Sequence, residues 1–179
     1  MKDLSLHILD IVQNSVYAGA SEVEISIQEN QDRDEMLLLI KDNGQGMSEE
    51  ILSRVTDPYY TTRTTRKVGL GIPLLKQNAE QAGGSFKINS TPGRGTEVNA
   101  VFGYSHLDRP PKGDLAGVIS MLAGMNPEMD FIYRHVRGNE EYVFDTKEIK
   151  EVLEDVSLRE PSVISYLKEM IEENLKELE

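Results

Sequence analysis

From Leu4 to Ala18 apolar side chains return at helical intervals, at Leu4, Ile8, Ile11, Val12 and Val16, which predicts a helix with one buried stripe. Asp3, His7, Asp10, Asn14 and Tyr17 follow the same three- and four-residue steps, so the helix also carries a polar seam. In SEVEISIQ the residues Val23, Ile25 and Ile27 alternate with Glu22, Glu24 and Ser26, the period of a half-buried strand. After the polar turn ENQDRDE, the run MLLLIKD is more continuously apolar and predicts a second, deeper strand, completing a hairpin. Ser48 stands as the N-cap of a short helix in MSEEILSRV, and a longer helix from Ile72 to Ala82 stops at Gly83-Gly84. SFKINS and TEVNAVF then alternate on either side of the turn TPGRG. The order helix, two strands, helix, loop, helix, two strands predicts an α+β fold, a two-layer sandwich of helices on a mixed, mostly antiparallel sheet, rather than a doubly wound one.

The pattern breaks at YSHLDRPPKGD, whose prolines and glycine set a boundary. Residues 1–103 are therefore read as one domain, 104–113 as a linker and 114–179 as a C-terminal α/β extension. The extension is predicted to hold a helix in LAGVISMLAGM, a hairpin turning at Gly138-Asn139, and helices in KEIKEVLEDV and SVISYLKEMIEENLKEL. Apolar stripes on the last two (Ile149, Val152, Leu153, Val156; Val163, Leu167, Met170, Ile171, Leu175) suit packing on the first domain or docking of a protein, and the sequence does not separate the two.

Composition narrows the field. The chain has 179 residues, enough for a real core, and no cysteine, which excludes disulfides and thiolate metal sites. No apolar run is long enough to cross a membrane and the N-terminus does not read as a leader, so a cytoplasmic location is expected, with no membrane contact. A formal net charge of −12 argues against nucleic-acid binding. Against that background TTRTTRK places Arg63, Arg66 and Lys67 within five residues, a local concentration suited to a small anion.

Three clusters carry candidate chemistry. Asp10 and Asn14, four apart on one helix face, can orient a water or hydroxyl and complete a magnesium shell, although a solvated helix face has the same spacing. In IKDNGQGM, Asp42 ends a buried strand, and Gly44 and Gly46 leave room for a flat ligand against backbone, although DNG is also a hairpin-turn signal. In KVGLGIPLLKQ, Gly69 and Gly71 precede a helix, so free N–H groups and the helix dipole form an anion site in outline. Neither glycine pair extends to the dinucleotide fingerprint, and no phosphate-loop motif G-x-x-x-x-G-K-[ST] occurs.

Taken together and in this order, the clusters resemble the ATPase superfamily shared by DNA gyrase, heat-shock chaperones, sensor histidine kinases and MutL. LDIVQNSVYAGA looks like its asparagine box, DNGQGM its first glycine box, DPYYTTR its aromatic box, GLGI its second glycine box, and TPGRGTEV its final strand pair. The likeness covers about residues 3 to 103. It implies a Bergerat-type ATP-binding fold and the cofactors ATP and Mg2+. Residue by residue, it implies that Asn14 holds Mg2+, that Asp42 binds the adenine amine, and that Gly44, Gly46 and Met47 shape the base pocket. Gly69, Leu70 and Gly71 would take the phosphates and Thr96 would join the water network around adenine. Thr61, Thr62, Arg63, Arg66 and Lys67 would belong to the ATP lid.

The departures select a branch. Position 10 is Glu in gyrase and MutL and commonly Asn in sensor kinases; here it is Asp10, a carboxylate one methylene shorter than Glu and the candidate catalytic base. His7, a turn away, is expected on the helix surface, with a hydrogen bond to Asp10 as the alternative. The short lid looks most like a sensor kinase, yet no H-E-x-x-x-P box surrounds His7, His106 or His135. The expectation is a stand-alone catalytic domain that transfers the γ-phosphoryl of ATP to an unidentified partner protein. The alternative is an ATP-dependent switch or slow ATPase that regulates its partner by binding, and a gyrase-like ATPase driving mechanical change ranks last.

Overall fold

A computed structural model describes residues 2–59 and 70–179. Helix α1 (Leu4–Tyr17) is started by Asp3, whose side chain accepts from the Leu6 amide, and its apolar stripe is fully buried at Leu4, Ile8 and Val12. It lies on the hairpin β1 (Glu22–Asn30) and β2 (Glu35–Asp42), whose alternating Val23, Ile25, Ile27 and Met36, Leu38, Ile40 face it and are shut off from solvent. Each such side chain contributes about 1.5–3 kcal/mol through burial, so this seam is the main adhesive of the layers. A short α2 (Glu49–Arg54) is capped by Ser48 and α3 (Gly71–Gln81) follows, then the hairpin β3 (Ser85–Thr91) and β4 (Gly95–Gly103). The predicted elements of this half all form, with boundaries shifted by a residue or so.

The chain continues through α4 (Leu115–Met125), β5 (Asp130–Arg137), β6 (Glu140–Asp145), α5 (Thr146–Leu153) and α6 (Pro161–Glu177). Strand β5 lies parallel to β1 and β6 antiparallel to β5, giving among the described residues a six-stranded sheet in the order β3-β4-β2-β1-β5-β6, with β1·β5 parallel and its other pairs antiparallel. Residues 114–179 therefore add strands to the sheet of residues 1–103. Helix α4 packs on α1 and α6 on α4, burying Ile119, Leu122, Val163, Leu167 and Ile171 in the same apolar core. Segment 104–113 is tied to the rest, because the Pro111 and Lys112 carbonyls accept from the Leu4 and Ser5 amides at 2.9 and 3.0 Å, supplying partners to two helix-start N–H groups.

One element ends early. KEIKEVLEDV stops being helical at Leu153 because Glu154 takes a left-handed φ of 51°, and Val152 and Val156 remain exposed. The stripe on α6 is covered; that on α5 is covered only in part.

Candidate functional site

Strand β2 delivers Asp42 at its end, directly across from Thr96, the second residue of β4. Both carboxylate oxygens are held. Oδ2 accepts from the Ser15 hydroxyl at 2.7 Å, and Oδ1 from the backbone amides of Gly44 at 2.9 Å and Thr96 at 3.3 Å. A second hydroxyl pair lies beside it, with Ser90 Oγ 2.9 Å from Thr96 Oγ1 and also accepting from the Met47 amide at 2.8 Å. Asp42, Gly44, Met47 and Thr96 are thus drawn into one cluster by hydrogen bonds from three separate parts of the chain.

The glycines of DNGQGM are required by packing. A Cβ on Gly44 would stand 2.8 Å from the Ala18 Cβ, and one on Gly46, where φ is +68°, would stand 2.1 Å from the Thr91 carbonyl oxygen. The loop is clamped to the end of α1 and to the β3–β4 turn by Gln45, which donates to the Ala18 carbonyl at 2.9 Å and accepts from the Gly93 amide at 2.7 Å. DNG is not a hairpin turn: β2 ends at Asp42 and the chain runs on to α2.

One turn back along α1, Asn14 and Asp10 are both partly buried. Asp10 meets the start of α3 so closely that a Cβ on Gly71 would fall 1.7 Å from its Oδ2. Helix α3 begins after Leu70, whose side chain makes no capping hydrogen bond, and has no acid in its first turn, a helix start at which the dipole favours an anion. Helix α1 therefore joins two things the sequence holds far apart, the Asp42 cluster through Ser15 and the α3 start through Asp10. Thr61, Thr62, Arg63, Lys67 and Gly69, together with Arg66, lie outside the described residues.

Two participants were missed by sequence reading, Ser15 and Ser90. Ser15, buried in mid-helix beside Asn14, carried a weak signal, since serine disfavours helix interiors without a partner. Ser90 was reachable by counting back across TPGRG, because a turn centred there sets Ser90 opposite Thr96.

His7 departs from expectation. It is fully buried rather than on the surface, and its Nε2 lies 2.8 Å from the Asn78 side-chain nitrogen on α3 instead of bonding Asp10, while Nδ1 has no hydrogen-bond partner among the described residues. Burial is the chief cause that holds its pKa down to about 4. An unfolded histidine protonates near 6.5, so the unfolded state binds more protons between pH 6.5 and 4 and stability falls as pH drops through that window. The shift corresponds to about 3 kcal/mol at its full extent. Replacing His7 with leucine should flatten this part of the stability–pH curve in urea titrations at pH 7, 6, 5 and 4. A slope unchanged by the substitution would assign the acid sensitivity elsewhere.

The comparisons with known proteins concern the same residues. The family described as histidine kinase-, DNA gyrase B-, and HSP90-like ATPase matches residues 2–105. Sensor histidine kinase YxdK of Bacillus subtilis (strain 168) is 32% identical over 106 residues, covering 56% of this chain and 33% of that protein. Sensor protein kinase FleS of Pseudomonas aeruginosa is 35% identical over 90 residues, covering 50% of this chain and 22% of that protein. The chain thus spans a third or less of either kinase. Among solved structures, the N-terminal domain of a DNA repair protein superimposes with a TM-score of 0.61 at 16% identity, covering 89% of this chain and 55% of that one. The Aquifex aeolicus MutL ATPase domain complexed with ADP gives 0.52 at 17% identity, covering 86% of this chain and 69% of that one. At such identities the structures speak to the fold alone.

Proposed function

Since the chain belongs to the histidine kinase-, DNA gyrase B-, and HSP90-like ATPase family, we propose that it binds ATP with Mg2+ and transfers the γ-phosphoryl group to a side chain of a partner protein in a regulatory pathway. The observation that carries this reading is the contact of Asp10 with Gly71, which brings a carboxylate to the start of α3. The adenine amine donates to Asp42, and the base lies among Gly44, Gly46 and Met47, with Thr96 in the water network. The phosphates take Gly69, Leu70 and Gly71 together with the start of α3. Lid residues Thr61, Thr62, Arg63 and Lys67 supply hydroxyls and positive charge to the triphosphate.

The donor set suits a magnesium ion that arrives with its nucleotide. Among the described residues no group of three or more His, Cys, Asp or Glu side chains is placed to hold a metal. Mg2+ however needs only one or two protein oxygens when phosphates and waters complete its octahedron, and Asn14 offers a side-chain carbonyl one turn from Asp10. The ion would neutralise phosphate charge. Asp10 would accept the proton of the attacking hydroxyl, and its shorter reach than Glu makes transfer slow unless the partner brings that hydroxyl close. The names of the matching sensor kinases support phosphotransfer, and the cytoplasm, where ATP is plentiful, is the compartment we assign. No nucleic acid or membrane enters this reading.

Incubating the purified chain with γ-labelled ATP in a cell lysate tests it. Label on a partner protein, lost with Asp10→Asn, is the expected result. Free phosphate without a labelled partner makes the protein an ATPase, and binding with no turnover makes it a nucleotide-driven switch that acts on its partner by contact. No binding at millimolar ATP would overturn the proposal as a whole.

A further inference from the structure

A cavity of about 500 Å³ opens where β1 and β5 end against the starts of α4 and the last turns of α6, and none of its lining residues belongs to the Asp42 or Asp10 clusters. That volume lies within the range of small-molecule sites. Its floor is a buried polar chain. Tyr133 Oη lies 2.8 Å from His135 Nδ1, and His135 Nε2 lies 2.6 Å from Glu29 Oε1, which also accepts from Lys112 Nζ at 3.2 Å. All three of Tyr133, His135 and Glu29 are at least nine-tenths buried. Burial by itself opposes ionisation of Glu29, yet the His135 and Lys112 contacts outweigh it and hold the carboxyl down to about 2. Glu29 is therefore an anion at neutral pH, and burial raises the Tyr133 hydroxyl, which stays a donor.

Lys112 is fixed in place by its neighbour. Gly113 adopts φ +73° and packs so closely on the start of α1 that a Cβ would stand 2.4 Å from Asp3 Oδ1. This gives the RPPKGD segment, which no ATP-site role uses, a task of its own.

Strand register sets Arg137 directly beside Glu29 on the helix-facing side of the sheet. Opposite charges so placed would ordinarily pair. Here the two do not pair with each other: Arg137 Nη1 donates instead to the main-chain oxygens of Leu178 and Glu179 at 3.0 and 2.9 Å. Among the described residues nothing donates to Glu29 Oε2. The Glu179 side chain meanwhile accepts from Lys112 at 3.3 Å, so the chain's own carboxylate already occupies the cationic side. Leu115, Ala116 and Leu175 supply an apolar wall, and the charged lining is balanced, with four cationic and four acidic side chains. A phosphate dianion would meet four carboxylates and a bare amine four cations. A molecule carrying one charge of each sign, a few ångströms apart, meets neither objection.

We propose that this cavity binds a free aliphatic α-amino acid, its ammonium group donating to Glu29 and its carboxylate received by Arg137 and Lys112 in place of the Glu179 side chain. The site is independent of the ATP reading and would stand if that reading failed. It joins strands β1 and β5 with the ends of α4 and α6, so occupancy would tighten residues 114–179 onto the rest of the sheet.

The test is a 1H–15N NMR titration of the full chain with each standard L-amino acid at up to 10 mM. The expected result is saturable shifts at Glu29, His135 and Arg137 for at least one of leucine, isoleucine, valine and methionine. For leucine's two half-molecules, 4-methylpentanoate and 3-methylbutylamine, binding should be at least tenfold weaker. Arg137→Gln, a change at the rim, should weaken binding tenfold or more while leaving the spectrum folded. Glu29→Gln should do the same, and the rim variant keeps the test informative if the buried one unfolds. Saturation by none of the four, or equal binding by a half-molecule, would overturn the proposal.

Discussion

Replacing Asp42 with alanine is expected to weaken ATP binding at least a hundredfold while leaving the protein folded. The side chain sits at the end of β2 with Oδ2 on Ser15 and Oδ1 on the Gly44 and Thr96 amides, so its orientation is set before any ligand arrives. In its proposed role it accepts from the adenine amine, and a hydrogen bond to a charged acceptor contributes about 1.5–3 kcal/mol. Alanine removes that bond and also leaves the Ser15 hydroxyl and two amides without their acceptor, which loosens the loop against which the base would lie. Together these amount to about 3–4 kcal/mol, two to three factors of ten in affinity. Titration with a fluorescent ATP analogue measures it, and thermal unfolding checks the fold. Affinity within threefold of the unsubstituted chain would remove Asp42 from the adenine site.

The second large effect is structural. Gly46→Ala should destabilise the protein by about 3 kcal/mol or more, lowering Tm by about 6–12 °C at this chain length. Two costs add. A residue with a Cβ in the left-handed region loses about 1–2 kcal/mol, and here the new methyl carbon would also stand 2.1 Å from the Thr91 carbonyl oxygen, a backbone atom that cannot swing away. Gly19→Ala separates the terms, because Gly19 has nearly the same φ, +70°, but nothing within 4 Å of its added carbon. It should show the conformational cost alone. Equal Tm losses for the two substitutions would mean that the Thr91 contact relaxes freely and that Gly46 is kept for its backbone angle.

Much of the fold was legible because its signals are local. The period of Leu4, Ile8, Ile11 and Val12 fixed α1, alternation fixed β1 and β4, and Gly138-Asn139 fixed the last hairpin; each depends on side chains within a few residues of one another. The candidate site was legible in a different way. Asp42, Gly44, Gly46 and Thr96 are ordinary turn and strand-end residues one at a time, and only their order along the chain set them apart.

His7 and α5 show where local reading stops. A histidine at a helical polar step has the pattern of a surface residue, and what buries it is α3, about seventy residues on, which supplies Asn78. A stripe on α5 reads as helix to Val156, but nothing in the stripe announces that Glu154 turns left-handed.

By itself, then, the sequence determined the elements, the α+β class and the family's ordered motifs, since periodicity and turn chemistry act over a handful of residues. Only the tertiary structure decided that β5 joins β1 and brings residues 114–179 into the same sheet, that Ser15 and Ser90 hold the Asp42 cluster, and that Arg137 lies beside Glu29 without pairing. Those outcomes depend on strand register and on contacts between distant segments, and register is settled by which faces can be buried together once all the elements are present.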